Sequence, residues 1–121
     1  MTELDIRAIE QRGRELPPAR FRRGYRVAQV DAFLGQAVAS LRSRLAENEG
    51  LRAGVAPGDL WYRDAGAGAA RSPEEVDAQM FELVRSGYRM QEVDALLDEV
   101  AYLVAQLQAE NEALRARSAS G

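Results

Sequence analysis

Apolar residues recur with a seven-residue period along the last third of this chain. With Met90 at position a of a heptad, successive a and d sites hold Met90, Val93, Leu97, Val100, Val104, Leu107, Asn111 and Leu114, seven of the eight apolar. That spacing is the seam of a coiled coil. A weaker seam stands 63 residues earlier in the same register: Val27, Val30, Leu34, Ala37, Leu41, Arg44, Asn48 and Leu51. Here Ala37 is small and Arg44 puts a charge at a d site. Neither stretch contains proline, so each predicts a helix of about seven turns, roughly 40 Å at 1.5 Å per residue.

The shared register comes from a duplication. "FRRGYRVAQVDAFL" (21–34) returns as "VRSGYRMQEVDALL" (84–97), and "AENEGLRA" (46–53) returns as "AENEALRA" (109–116). Across 21–53 and 84–116 no gap is needed, and 15 of 33 positions are identical. The chain therefore divides into a first unit (1–53), a linker (54–72), a second unit (73–117) and a tail (118–121). It predicts an all-α fold of two short-helix, loop, long-helix units packed as a coiled coil or helical bundle.

The repeated heptad details specify how the long helices pair. Asn48 and Asn111 both fall at a, where a buried Asn favours another Asn in a parallel, in-register pair. Glu47 and Glu110 fall at g, and Arg52 and Arg115 at e, the spacing of g-to-e′ ion pairs between parallel strands. An amphipathic helix with a solvated Asn near a frayed end is the plainer reading of either copy alone. Leu96 and Leu103, at g, widen the apolar stripe of the second helix beyond a two-stranded seam, so a further element is expected to cover it. Three arrangements remain open: the two long helices parallel within one chain, homo-oligomers through the second helix, or an antiparallel hairpin.

Each unit opens with a short helix. Ser72-Pro73-Glu74-Glu75 reads as an N-cap, a first-turn proline and a capping box. The helix it starts is expected over about 73–83, carrying Val76, Met80, Phe81 and Leu83. In the first unit Thr2 and Asp5 form a weaker box, Leu4 and Ile9 mark the apolar side, and Pro17-Pro18 stop the helix. "GVAPGDLWYRDAGAGAARS" (54–72) is turn-rich, with Trp61 and Tyr62 as a clip onto the helices or an exposed pair.

Composition removes most chemistry. The chain has no Cys and no His, so thiolate chemistry and the commonest general base and metal ligand are gone. There is no Gly-rich phosphate loop. Carboxylates lie on helix faces without a cleft to shift their pKa, so no enzyme, cofactor, metal or small-molecule substrate is expected. No apolar run approaches the length of a membrane span and no secretory signal is written, which predicts a cytoplasmic protein, at most peripheral to the inner face of the membrane.

All 16 basic residues are Arg, and the net charge of −3 is uneven. Residues 1–26 sum to +3, 27–53 to zero, 54–83 to −4 and 84–121 to −2. The arginine cluster is short and the chain acidic, so nucleic acid is not an expected partner.

The basic end concentrates at the junction of short and long helix. Gly24-Tyr25 and Gly87-Tyr88 form a corner in each unit, glycine allowing a turn with positive φ and tyrosine packing back across the junction. In the first unit Arg20, Phe21, Arg22, Arg23 and Arg26 surround this corner. An exposed aromatic among arginines suits an anionic lipid surface, each basic residue contributing on the order of 1 kcal/mol. The arginines also suit a solvated face, or the acidic 74–82 segment of another chain. The second unit keeps the corner but not the cluster.

This pattern resembles a family. Phe21, Arg22, Arg23, Gly24, Tyr25, Val30, Asp31, Ala32, Phe33 and Leu34, followed by heptads, are similar to the N-terminal domain of DivIVA proteins, bacterial cell-division and polar-growth scaffolds. Phe81, Arg85, Gly87, Tyr88, Val93, Asp94, Ala95 and Leu97 repeat the likeness. The resemblance implies a parallel coiled coil whose corner loops meet at one tip and touch the membrane through a hydrophobic residue beside an arginine. Phe21 and Arg22 match those positions in the first unit, Val84 and Arg85 in the second. Three features depart from the family. Arg26 and Arg89 stand where it usually has Asp, a natural N-cap. The first motif is one residue longer than the common form. The long C-terminal coil is not present, so the resemblance implies a small accessory member, binding protein partners that include itself. The competing expectation is an interaction module with no membrane role, which a buried Phe21 would favour.

Overall fold

The computed structural model describes residues 2–55 and 72–120, and the expected clip of Trp61 and Tyr62 lies outside the described residues. Helix α1 (Glu3–Arg14) leads to strand β1 (Arg23–Tyr25) and helix α2 (Val27–Arg52). Helix α3 (Pro73–Asp77), strand β2 (Leu83–Arg85) and helix α4 (Met90–Ser120) follow. The fold is all-α, two units of short helix, loop and long helix, with one small antiparallel ribbon where the loops cross. Helix α4 runs through Ser120, into the segment expected to be tail.

The long helices lie parallel within one chain, the first of the three arrangements. Both ends of the pair fix its direction. Near the helix starts, Tyr25 and Tyr88 exchange backbone hydrogen bonds at 2.9 and 2.8 Å. Near the far end Asn48 Nδ2 donates to Asn111 Oδ1 at 2.9 Å. The buried Asn pair is satisfied further: Asn111 Nδ2 donates to the Arg44 carbonyl at 3.0 Å, and Arg52 Nε donates to Asn48 Oδ1 at 2.9 Å. Glu47 pairs with Arg115 and Glu110 with Arg52, the two g-to-e′ bridges expected of a parallel pair.

The seam is dry where the heptads are apolar. Val30, Leu34, Ala37 and Leu41 of α2 and Val93, Leu97, Val100, Val104 and Leu107 of α4 are buried, and Leu114 is half-buried. Val27 and Met90, the first a residues, are partly exposed because the seam opens towards the loops. Arg44, at a d site of the seam, is half-buried.

The short helices cover the sides of this pair. Helix α1 packs on both α2 and α4 and runs back along α2: Gly13 lies beside Leu34, while Arg42 holds Glu3 at 3.0 Å and Glu10 at 2.5 Å. Arg12 pairs with Glu99 of α4. At the start of α1 the Asp5 carboxylate accepts the Thr2 N–H at 2.8 Å. Ile6 and Ile9 bury fully with Leu96 and Leu103 in one core, so α1 is the extra element that the wide stripe of α4 required. Leu4, expected on the apolar side, is exposed.

Helix α3 is shorter than its periodicity suggests. Ser72 Oγ accepts the Glu75 N–H at 3.1 Å, Pro73 takes the first turn, and Val76 is fully buried against α4. The helix ends at Asp77 rather than near 83, because residues 83–85 are drawn into the ribbon. Phe81 turns inward instead, packing tilted on Tyr25 with ring centres 5.3 Å apart and edge-on to Phe33 at 5.9 Å. Met80 and Leu83 remain exposed.

Candidate functional site

The two corners cross at one end of the coiled coil, and the duplicated Gly-Tyr dipeptides make the crossing. Gly24 and Gly87 do not adopt positive φ, contrary to the expectation for a turn. They are glycines because the backbones touch. A Cβ on Gly24 would strike the Tyr88 carbonyl oxygen and the Gly87 carbonyl carbon, and one on Gly87 would strike the Tyr25 carbonyl oxygen and the Gly24 backbone. The left-handed conformations fall on Phe21 (φ 61°) and Ser86 (φ 63°).

Each tyrosine reaches across to the other unit. Tyr25 Oη donates to Asp94 Oδ1 at 2.8 Å, and Tyr88 Oη donates to Asp31 Oδ1 at 2.8 Å. The repeated Gly-Tyr and Val-Asp-Ala phrases are thus the two halves of a reciprocal lock. Its signal in the sequence is a fixed Tyr-to-Asp spacing written twice. Burial first, then the bond to Asp31, pushes the Tyr88 phenol up to about 12, and burial and Asp94 raise Tyr25 likewise. A phenol whose folded pKa is raised stabilises fully below its unfolded value near 10 and loses that contribution as pH climbs through the folded value. The thermal midpoint is therefore expected to hold to about pH 9–10 and fall towards pH 12. Tyr88→Phe is expected to cost about 1 kcal/mol at neutral pH and to flatten the alkaline fall. Thermal melts followed by circular dichroism across this range check it; an unchanged alkaline limb in the variant would rule the lock out.

The first corner carries a longer loop than the second. The Arg26 N–H bonds the Glu82 carbonyl and the Arg89 N–H bonds the Pro17 carbonyl, both at 2.9 Å, as equivalent contacts of the crossing. Between these anchors the first unit has two residues more. The excess lies in the tip "ARFRRG" (19–24), against "VRSG" (84–87) in the second.

Phe21 stands at that tip, fully exposed at 103% relative accessibility. A left-handed backbone is an outlier for a bulky residue, and such strain, of order 1–3 kcal/mol, persists where surrounding structure enforces it. Arg20, Arg22 and Arg23 are exposed around the ring. Arg26 is not part of this group: its guanidinium is committed to Glu82 at 2.9 Å, so one cation meets the acidic segment of its own chain. Phe81, expected on the short helix of the second unit, is partly buried and packs against the core. In the second unit Val84 is half-buried and Arg85 exposed.

The seam residues Val93, Leu97, Val100, Val104, Leu107 and Asn111 are occupied by α2, so they are internal packing and not a free surface. An apolar groove of about 720 Å³ runs between α1 and α2, floored by Ile9, Leu34 and Val38. Among the described residues no group of three or more carboxylates could hold a metal ion, and no helix is long and apolar enough to cross a membrane. No family model, curated protein or solved structure matches the chain.

Proposed function

We propose that this chain is a non-enzymatic coiled-coil scaffold or adaptor of the DivIVA type, serving bacterial cell division or polar growth, and that it meets an anionic membrane surface through the first corner. The observation that carries this reading is Phe21, fully exposed in a left-handed backbone between two exposed arginines. A buried Phe21 would have favoured a plain interaction module. Water gains nothing from an aromatic held out in a strained loop, whereas a lipid interface accepts the ring while guanidinium groups hold phosphate oxygens.

Magnitudes make the contact weak. One phenylalanine contributes about 1.5–3 kcal/mol on burial and each of three arginines about 1 kcal/mol. The sum is of the order of a single acyl chain, reversible on its own. Since the two units close on each other and only the first corner carries an aromatic tip, the two corners together offer one anchor among the described residues. Stable attachment then depends on partners that gather several chains, and an adaptor gains by avidity what one tip lacks.

Vesicle co-flotation tests the reading. Wild-type protein is expected to bind vesicles containing phosphatidylglycerol and to dissociate as salt rises. Phe21→Ala with Arg22→Ala is expected to weaken binding about a hundredfold with helicity unchanged. Equal binding by the double variant would falsify the tip contact.

A further inference from the structure

The second unit has lost the aromatic but keeps arginines at the two places that face the first unit's cluster. Arg85 is the direct cross-strand partner of Arg23, and both are exposed. Like charges set opposite each other destabilise a ribbon. Among the described residues no ion pair joins Arg20, Arg22, Arg23 or Arg85 to a carboxylate. Arg89, paired with Glu92 of its own helix at 3.3 Å, approaches from the other side. It lines, with Arg20, Arg22 and Arg23, a depression of about 630 Å³ between the Pro17–Arg23 loop and the first turn of α4. That turn presents the positive end of a 31-residue helix to the same space.

Diffuse surface charge does not call for this convergence. A row of arginines along a face would serve a sheet of singly charged headgroups as well, without placing two of them opposite each other in a ribbon. Guanidinium forks are shaped for phosphate oxygens, and several forks around one depression match a compact anion that carries more than one charge.

We propose that Arg20, Arg22, Arg23 and Arg89, with Arg85 across the ribbon from Arg23, form one composite site, drawn from both units, for a multiply charged phosphate, and that its ligand is the phosphomonoester headgroup of a lipid. The proposal rests on the membrane reading, since Phe21 sits between Arg20 and Arg22 and anchors the same loop. The second corner then has a role of its own, supplying Arg89 on the α4 side of the depression and Arg85 beside Arg23.

The test uses the full chain and neutral phosphatidylcholine vesicles carrying either phosphatidic acid or phosphatidylglycerol, adjusted to equal zeta potential. Wild-type protein is expected to partition about fivefold or more in favour of phosphatidic acid. Arg85→Gln and Arg89→Gln are each expected to remove that preference, while Arg7→Gln, an equal charge change on α1, leaves it in place. Equal partition of the wild type at matched potential overturns the composite site and leaves the tip contact standing. Binding to neither vesicle overturns the tip contact and the site with it. Saturable binding of inorganic pyrophosphate without vesicles, indifferent to Phe21→Ala and not displaced by phosphatidic acid vesicles, would assign the site to a free phosphate and overturn the lipid.

Discussion

Replacing Leu97 by Asp is expected to lower the thermal midpoint by about 15 °C or more, or to abolish the cooperative transition. Leu97 is 5% exposed at an a site of the α2–α4 seam, in the layer of Leu34. Removing a buried leucine costs about 2–5 kcal/mol, and an unpaired carboxylate in its place adds the cost of desolvating a charge. Small domains hold only about 5–15 kcal/mol in total. Because the seam closes within one chain, the loss should appear as reduced helicity and not as a change in oligomer mass. Two companions make the result specific. Tyr102→Asp, on the exposed side of α4, is expected to stay within about 0.5 kcal/mol of wild type. Leu107→Asp, at a d site 1% exposed, is expected to cost a comparable amount. Thermal melts at 222 nm measure all three. Equal losses at 97 and 102 would sink the heptad assignment.

What the sequence makes legible is what one-dimensional spacing encodes. The 3.5-residue period locates α2 and α4, and the twofold appearance of Asn, Glu and Arg in one register specifies a parallel pair with its two ion pairs. Whether that pair forms within or between chains is not written in the spacing, because the same Asn48–Asn111 and Glu47–Arg115 contacts serve either. Periodicity overextends helix α3 for a different reason. Met80, Phe81 and Leu83 have helical spacing, but strand β2 has a partner in β1 and Phe81 has a pocket beside Phe33 and Tyr25, and tertiary pairing overrides local periodicity. The tip is legible in part. Phe21 and its neighbours stand out by charge, but the commitment of Arg26 to Glu82, and the approach of Arg85 and Arg89, depend on how the two corners cross. Glycine in a corner suggests a turn residue because positive φ is its commonest use. Close backbone approach leaves the same letter in the sequence.

That distinction yields the second large effect, a contrast between glycines of one chain. Gly24→Ala and Gly87→Ala are each expected to destabilise by about 3 kcal/mol, the upper range for overpacking, because the methyl group meets backbone of the other corner and not a side chain that could turn aside. The backbone there is pinned by the paired Tyr25 and Tyr88 hydrogen bonds, so relief of the clash must break them. Gly35→Ala is expected to do the opposite. Gly35 lies inside α2 with nothing within 4 Å of an added Cβ, and exchanging glycine for alanine in a helix interior contributes roughly 0.5–1 kcal/mol. The double variant Gly24→Ala/Gly87→Ala should cost less than the sum of the two, since both methyl groups force apart the same crossing and the second enters a gap the first has opened. Chemical denaturation of the four variants gives the comparison. Opposite signs at 35 and 24, with sub-additivity at 24 and 87, follow only if the corners touch through their glycines. A turn residue needed for its φ alone would give additive losses, each unit failing independently of the other.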